Sequence, residues 1–446
     1  MLGGVEVLSL AARLAAEHLA TIDRRPVGPT GPVGLDAELP EEGVAAERVV
    51  SELAAGAAPG LVASPGPRYF GFVTGGALPV AVAADWLTSA WDQNAALGVM
   101  SPAAAAAEDV VGAWVRELLG LPAGTSVGLV TGAQAANVTA LAAARHAVLA
   151  RAGWDVGRDG LTGAPPVRVV VGEQAHATIG VALRLLGLGE GRAERVPADD
   201  QGRMDPSGLN VGEDPTIVCA QAGEVNTGAF DPLEPLAELC GRHGAWLHVD
   251  GAFGLWAAAS PGRRDLTTGA ERADSWATDA HKWLNVPYDC GIVAVADADA
   301  HRAAMAVRGP YLIAGDLRDG ADFVPEASRR ARAFTVYAAL RHLGRQGVAA
   351  LVERCCALAA RAAEHLHAGG VTVLNDVVLN QVLLDLGPEV AARVQHDGTC
   401  WVGGTVWRGR PALRLSVSNW STTAQDVDRA AGAILSARSA RTPAAP

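Results

Sequence analysis

The chain has 446 residues, enough for a large multi-layer domain with smaller appendages, and 50% of them are hydrophobic against 19% charged, the balance of a well-buried globular protein. A formal net charge of −12 excludes a nucleic-acid binder, which would need a basic face; the one basic run, Arg329, Arg330 and Arg332, suits a solvated or phosphate-facing turn. Six scattered cysteines without a CxxC pair exclude a zinc ribbon or dithiol motif, and no secretory start or bilayer-spanning apolar run is present, so a cytoplasmic protein with no membrane partner is expected.

In chain order, the first expected element is an amphipathic helix over 5–20, followed by a Pro/Gly-rich arm or linker from Arg25 to Gly34. An Ala-rich helix is expected over 41–56, and Pro65-Gly66-Pro67 breaks the chain before Tyr69-Phe70-Gly71-Phe72. Helical stretches at 80–97 and 102–119 lead into the apolar run 127–130 and a further helix from 135. Short apolar runs recur at 167–171, 216–220, 246–249, 275–277 and 291–295, most separated by helical patterns or Gly/Pro loops. Such alternation predicts an α/β fold whose mainly parallel sheet is covered on both faces. A long helix over 335–367, strand-like runs at 371–374, 377–384 and 413–417, and a final helix predict a smaller α+β C-terminal domain. The expected division is a helical and extended segment over 1–77, a large domain over 78–335 and a small domain over 336–446.

The functional-looking residues fall at the ends of the expected strands, where open α/β sheets bind ligands. Thr131-Gly132-Ala133-Gln134-Ala135-Ala136-Asn137 opens a helix with small residues. Its free N–H groups and positive dipole end suit a phosphate, although close strand–helix packing uses the same residues. His176, just beyond 167–171, can stack on a planar ring, do acid–base work or be purely structural. Asp250 ends the very apolar Trp246-Leu247-His248-Val249, and burying its carboxylate alone is unfavourable. A pyridinium nitrogen would pair with it and stay protonated, so the ring acts as an electron sink; an N-cap or loop aspartate is the other reading.

Lys282 is the only lysine, every other Lys/Arg position being arginine. Arginine replaces lysine where only charge is needed, but it cannot lose a proton and attack a carbonyl. The surviving lysine is therefore a candidate Schiff-base nucleophile, while the count alone equally allows a surface lysine left by chance. The neighbourhood decides. Lys282 lies in Asp279-Ala280-His281-Lys282-Trp283-Leu284, one strand–helix–strand step after Asp250, in a setting where desolvation favours the free amine.

Three segments, Glu173-Gln174-Ala175-His176, His248-Val249-Asp250-Gly251-Ala252-Phe253 and Asp279-Ala280-His281-Lys282-Trp283, together resemble the signature of the group II pyridoxal 5′-phosphate-dependent amino acid decarboxylases. That family includes the aromatic-amino-acid, glutamate and histidine decarboxylases, with sphingosine-phosphate lyase as a more distant relative. The likeness extends from Pro67-Arg68-Tyr69-Phe70 to Leu413-Arg414-Leu415-Ser416-Val417. It implies an aspartate-aminotransferase-like fold type I enzyme, a homodimer with shared active sites and a small-molecule amino acid substrate. The implied catalytic groups are Lys282, which would hold the cofactor as an internal aldimine, Asp250 at the pyridine nitrogen and His176 over the ring. Ala252 would touch the other face, His281 would sit beside the phosphate, and Thr131, Gly132, Ala133 and Gln134 would give it backbone amides. Gln221 and Asp279 complete the expected cofactor site, and Thr74, Trp91, Tyr311, Phe323 and Arg414 are candidates for the substrate pocket. The implied reaction is loss of the α-carboxylate as CO₂ with release of the amine, without a metal.

Three departures from the family pattern bear on the chemistry. Phe323, in Asp322-Phe323-Val324-Pro325-Glu326, stands where many members carry a loop tyrosine that reprotonates Cα, and Tyr311 is the nearest alternative. In related enzymes loss of that donor goes with oxidative deamination to an aldehyde. Gln221 and Glu224 replace threonines of the better-known decarboxylases, and Asp279 replaces the usual asparagine, as in the lyase relative. The competing expectations are another reaction of the same cofactor (aldehyde formation, C–C cleavage or amino transfer, with Arg414 taking the α-carboxylate) and an inert α/β binding protein with an incidental Lys282.

Overall fold

The structure, a computed structural model, describes residues 3–212, 214–307, 309 and 317–439. Seven strands form the large sheet: β1 (Ser126–Val130), β2 (Arg168–Gly172), β3 (Glu194–Val196), β4 (Thr216–Gln221), β5 (Trp246–Asp250), β6 (Ser275–Asp279) and β7 (Gly291–Val295). Their order is β1-β7-β6-β5-β4-β2-β3, with β7 antiparallel to both neighbours and every other pairing parallel. Strands β1, β4, β5, β6 and β7 are buried along their whole length, which is why they read as unbroken apolar runs. Strand β3 carries no such run, since Glu194 and Arg195 are exposed, and it escapes the sequence pattern.

Alternate residues of each strand enter two cores. Val169, Val171, Ile217, Cys219, Trp246 and Ala277 pack on the face covered by helix Ala133–Arg151, which also touches helices Ala177–Leu185 and Ala298–Met305. Ala136, Ala140, Ala143 and Ala144 of that helix are wholly buried, and their small side chains let its axis lie close against the strands. Val170, Val218, Leu247, Val249 and Trp276 enter the opposite core with Val111 and Val115 of helix Pro102–Leu119 and Leu236 of helix Leu233–His243.

The second sheet is antiparallel, β8 (Gln381–Leu384), β9 (Gly403–Trp407) and β10 (Arg410–Ser416) in the order β8-β10-β9. Of the expected run 371–374 only Val373 makes a bridge, to Leu384, and Gly403-Gly404 hid β9. The long helix is observed as Ala333–Ala368, broken at Gly344 (φ 61°, ψ 179°), a left-handed backbone that an apolar periodicity passes straight through. The helix expected over 80–97 stops at Trp91, where Asp92 takes a left-handed cap (φ 47°, ψ 45°). Segment 68–76 runs between the two sheets: the amide of Phe70 donates to the Trp401 carbonyl and that of Ser416 to the Phe70 carbonyl. Among the described residues no helix is long and apolar enough to cross a membrane, and no His, Cys, Asp and Glu side chains are grouped to hold a metal ion.

Candidate active site

The C-terminal residues of three neighbouring parallel strands, Gln221 of β4, Asp250 of β5 and Asp279 of β6, lie side by side on one edge of the sheet, Gln221 paired with Asp250 and Asp250 with Ala277. They face the turn from β1 into helix Ala133–Arg151 and the loop from β2 to His176. Together these elements enclose a cavity of about 240 Å³ lined by Gly132, Ala133, Gln134, His176, Gln221, Asp250, Ala252, Asp279, His281 and Lys282. Ten of the eleven residues that sequence reasoning assigned to the cofactor therefore share one cavity at the edge where the topology places ligands. Thr131, the eleventh, is exposed in the turn just outside it.

Lys282 follows β6 in a turn that lies against segment 74–76. A Cβ at Gly75 would collide with the Lys282 carbonyl, so only glycine lets the two backbones approach this closely. The Lys282 Nζ lies 3.2 Å from Asp279 Oδ2, and Asp279 Oδ1 accepts the Ala133 N–H at 2.6 Å. His281 Nδ1 accepts the Cys290 N–H at 3.1 Å, which leaves the ring proton on Nε2, 3.5 Å from Asp279 Oδ1. Burial pushes the His281 pKa down against the pull of Asp279, so the ring is neutral. The exposed Tyr288 ring packs on His281 with centroids 4.4 Å apart.

Asp250 is buried yet accepts only from neighbours that leave room for another donor: the Asn137 amide at 3.0 Å on Oδ2 and the Ala252 N–H at 3.2 Å on Oδ1. His176 is open to solvent on its cavity side. The protein packed behind it lowers its pKa through burial, and its Nδ1 meets the Thr178 hydroxyl at 2.9 Å. Gln221 braces the loop, its Oε1 accepting the His176 N–H at 3.2 Å and its Nε2 donating to the Gln174 carbonyl at 3.1 Å. Burial raises the pKa of Glu224, whose carboxylate accepts the amides of Asn226 at 2.6 Å and Thr227 at 2.7 Å. It ties its own turn rather than facing the cavity.

The substrate-pocket expectations divide. Thr74 adjoins the Gly75 contact with Lys282 but does not line the cavity. Arg414 lies one side chain away, donating to the carbonyl of the lining residue Val225 at 2.9 Å. Trp91 is 50% exposed and meets Phe334 edge-on, outside the cavity of its own chain. Phe323 is corrected outright: it is 5% exposed, lies under the Arg318 guanidinium at 4.1 Å and abuts His301, a packing residue rather than a pocket-lining one. Tyr311 lies outside the described residues. Sequence reasoning assigned no role to Asn137, Thr178, Val225 or Phe253; the one usable signal was Asn137, a lone amide in a buried run of alanines.

A lone lysine amine, a carboxylate with spare acceptor capacity at a neighbouring strand end, and a helix N-terminus on one cavity define a fold type I pyridoxal-phosphate enzyme. The fit extends to the phosphate end. Among the described residues the amides of Gln134 and Ala135 have no protein acceptor, and a Cβ at Gly132 would crowd His281 Cε1 at 3.1 Å. Residues 31–383 match the pyridoxal-dependent decarboxylase conserved domain, and the chain belongs to that family. It is 28% identical to tryptophan decarboxylase 1 of Oryza sativa subsp. japonica over 92% of this chain and 89% of the relative. It is 31% identical to the L-2,4-diaminobutyrate decarboxylase of Rhizobium meliloti, over 80% of this chain and 75% of the relative. The crystal structure of Oryza sativa TDC with PLP and tryptamine superposes with a TM-score of 0.87 at 24% identity, covering 97% of this chain and 96% of that one. That of Rhodiola rosea 4-hydroxyphenylacetaldehyde synthase gives 0.85 at 22% identity, covering 98% of each chain. The protein is a pyridoxal-phosphate-dependent carboxy-lyase of amino acids.

Proposed function

We propose that the protein converts an L-amino acid into its amine and CO₂, in the cytoplasm, as a homodimer. The observation that carries the reading is the Lys282 amine, held by Asp279 in the cavity that Asp250 also lines. Lys282 would attach the cofactor through Nζ, Asp250 would accept a hydrogen bond from the protonated ring nitrogen and His176 would lie over the ring. The Gln134 and Ala135 amides and His281 would take the phosphate. Bound pyridoxal phosphate supplies a ring that draws off the electron pair left at Cα when CO₂ departs. Asp250, already oriented by two hydrogen bonds, would stabilise the charge that develops only as the reaction proceeds.

Two further features support the finer parts of this reading. Helix Ala46–Ala57 has no buried residue, and Phe72, Trp86, Leu87, Trp91, Val99 and Met100 are all exposed, an apolar load that a second copy would cover. All six cysteines are buried and unpaired, as in a reducing compartment.

The test is a panel of L-amino acids with the cofactor-loaded protein, scoring CO₂, amine, aldehyde, peroxide and oxo acid, with the mass in solution measured alongside. CO₂ matched by amine from a particle of twice the chain mass is the expected result. Aldehyde with peroxide, or oxo acid without CO₂, would replace the reaction. Lys282→Arg should leave no borohydride-trappable cofactor.

A further inference from the structure

Asn137 is wholly buried on the second turn of helix Ala133–Arg151, among alanines, where an amide needs every hydrogen bond satisfied. It has three partners. Its Nδ2 donates to Asp250 Oδ2 at 3.0 Å and to Thr178 Oγ1 at 3.2 Å, and its Oδ1 meets His248 Nε2 at 3.0 Å. We propose that Asn137 is the positioning residue of the site, joining Asp250 and His176 to a one-way chain of hydrogen bonds rooted in the sheet.

The direction of each bond follows from the chemistry of its ends. An ionised carboxylate only accepts, so the amide nitrogen of Asn137 must face Asp250 and its oxygen must face His248. His248 Nε2 therefore carries the proton. In a neutral ring Nδ1 then accepts from Ser275 Oγ, 2.9 Å away, and Ser275 Oγ in turn accepts the Trp246 indole N–H at 2.8 Å. Full burial keeps the ring neutral, with its pKa lowered to about 4. On the other arm, Thr178 Oγ1 accepts from Asn137 and gives its own hydrogen to His176 Nδ1, which also receives the Thr178 N–H at 3.3 Å. Two donors at Nδ1 leave the His176 proton on Nε2.

A donor-only indole starts the chain and an acceptor-only carboxylate ends one of its branches. On the branch from Trp246 to Asp250 no bond can reverse without leaving a buried group unpaired, which is unfavourable in this interior, while the His176 branch is fixed by the Thr178 N–H on Nδ1. The device therefore orients two groups at once: Asp250 Oδ2 is met by a fixed donor, and His176 presents a single tautomer. Strands β5 and β6 supply the root, so a sheet whose burial is purely structural also orients the site.

The network is complete without cofactor, so its test can begin on the cofactor-free protein labelled with ¹⁵N-histidine. In the wild type, His176 and His248 should both report Nε2 protonated and Nδ1 free. Thr178→Val removes the hydroxyl donor but keeps the Thr178 N–H on His176 Nδ1, so His176 should shift part-way towards the other tautomer while His248 stays unchanged, because the Asp250 arm is intact. Asn137→Ala should disturb both rings, weaken cofactor binding about tenfold or more, the loss of one charge-assisted hydrogen bond, and lower kcat with little change in KM. Should Asn137→Ala fold poorly, the wild type still decides, since a His248 ring protonated at Nδ1 instead of Nε2 overturns the proposal. Wild-type affinity and unmoved tautomers in a folded Asn137→Ala would overturn it equally. Both results are readable even if the amino acid substrate remains unidentified.

Discussion

Asp279→Asn isolates what the acidic residue beside the lysine does. The Lys282–Asp279 pair spans 3.2 Å, with the carboxylate side chain only 2% and the lysine 21% exposed. At an effective dielectric of about 20 the Coulomb attraction is about 5 kcal/mol, most of it offset by desolvation, and a hydrogen bond to a charged group nets about 1.5–3 kcal/mol. Asparagine can still accept the Ala133 N–H through Oδ1 but turns an NH₂ towards the ammonium, so the variant loses the pair and little else. With an unfolding entropy of about 2 cal/mol/K per residue over 446 residues, the Tm of the cofactor-free protein should fall by about 2–3 °C. Attachment to the cofactor would draw Nζ away from Asp279, so the wild type would have to break this pair on binding whereas the variant has none to break. The same free energy then appears as cofactor binding about ten- to a hundredfold tighter in the variant. Thermal unfolding of the cofactor-free proteins and fluorescence titration with pyridoxal phosphate measure the two quantities. An unchanged Tm together with weaker cofactor binding would refute the reasoning and assign Asp279 to the phosphate instead.

Gly75→Ala should displace the Lys282 turn, because the new Cβ overlaps the Lys282 carbonyl; cofactor retention on gel filtration should drop while the fold, read by circular dichroism, persists. Glu224→Ala leaves the Asn226 and Thr227 amides without their acceptor in a buried turn, and should destabilise by about 2–4 kcal/mol in denaturant titrations. Stability should also fall between pH 7 and pH 5. Burial lowers His248 to about 4 and His301 to about 3 from 6.5, so below 6.5 the unfolded chain binds protons that the folded one refuses. By pH 5 each has cost about 2 kcal/mol. Asp231, raised to about 6 by burial, works in the opposite sense and returns about 1 kcal/mol over the last unit. Urea midpoints at the two pH values test the net loss; equal midpoints would mean that neither histidine is buried neutral.

The cofactor cavity was legible because its parts are local. Asp250, Asp279 and Gln221 each end a buried strand, and an apolar run that stops at a polar residue marks a strand end in the sequence itself. The sole lysine was legible for a chemical reason, since no other side chain can do what its amine does. What failed was anything that depends on contacts between distant segments. Phe323 was placed by its position in a loop, whereas its ring is held by Arg318 and His301, contacts that neither spacing nor periodicity encodes. Gly344 and Asp92 redirect helices whose apolar pattern continues past them. Asn137 is the more instructive miss, because its partners come from two other segments, Asp250 and His248 from β5 and Thr178 from helix Ala177–Leu185, and meet it only when its own helix settles on the sheet. The alanines that let the helix approach so closely are the legible part of that arrangement. They create the tight interface in which one amide must satisfy three neighbours, so the composition of the helix and the chemistry of the site are consequences of the same close packing.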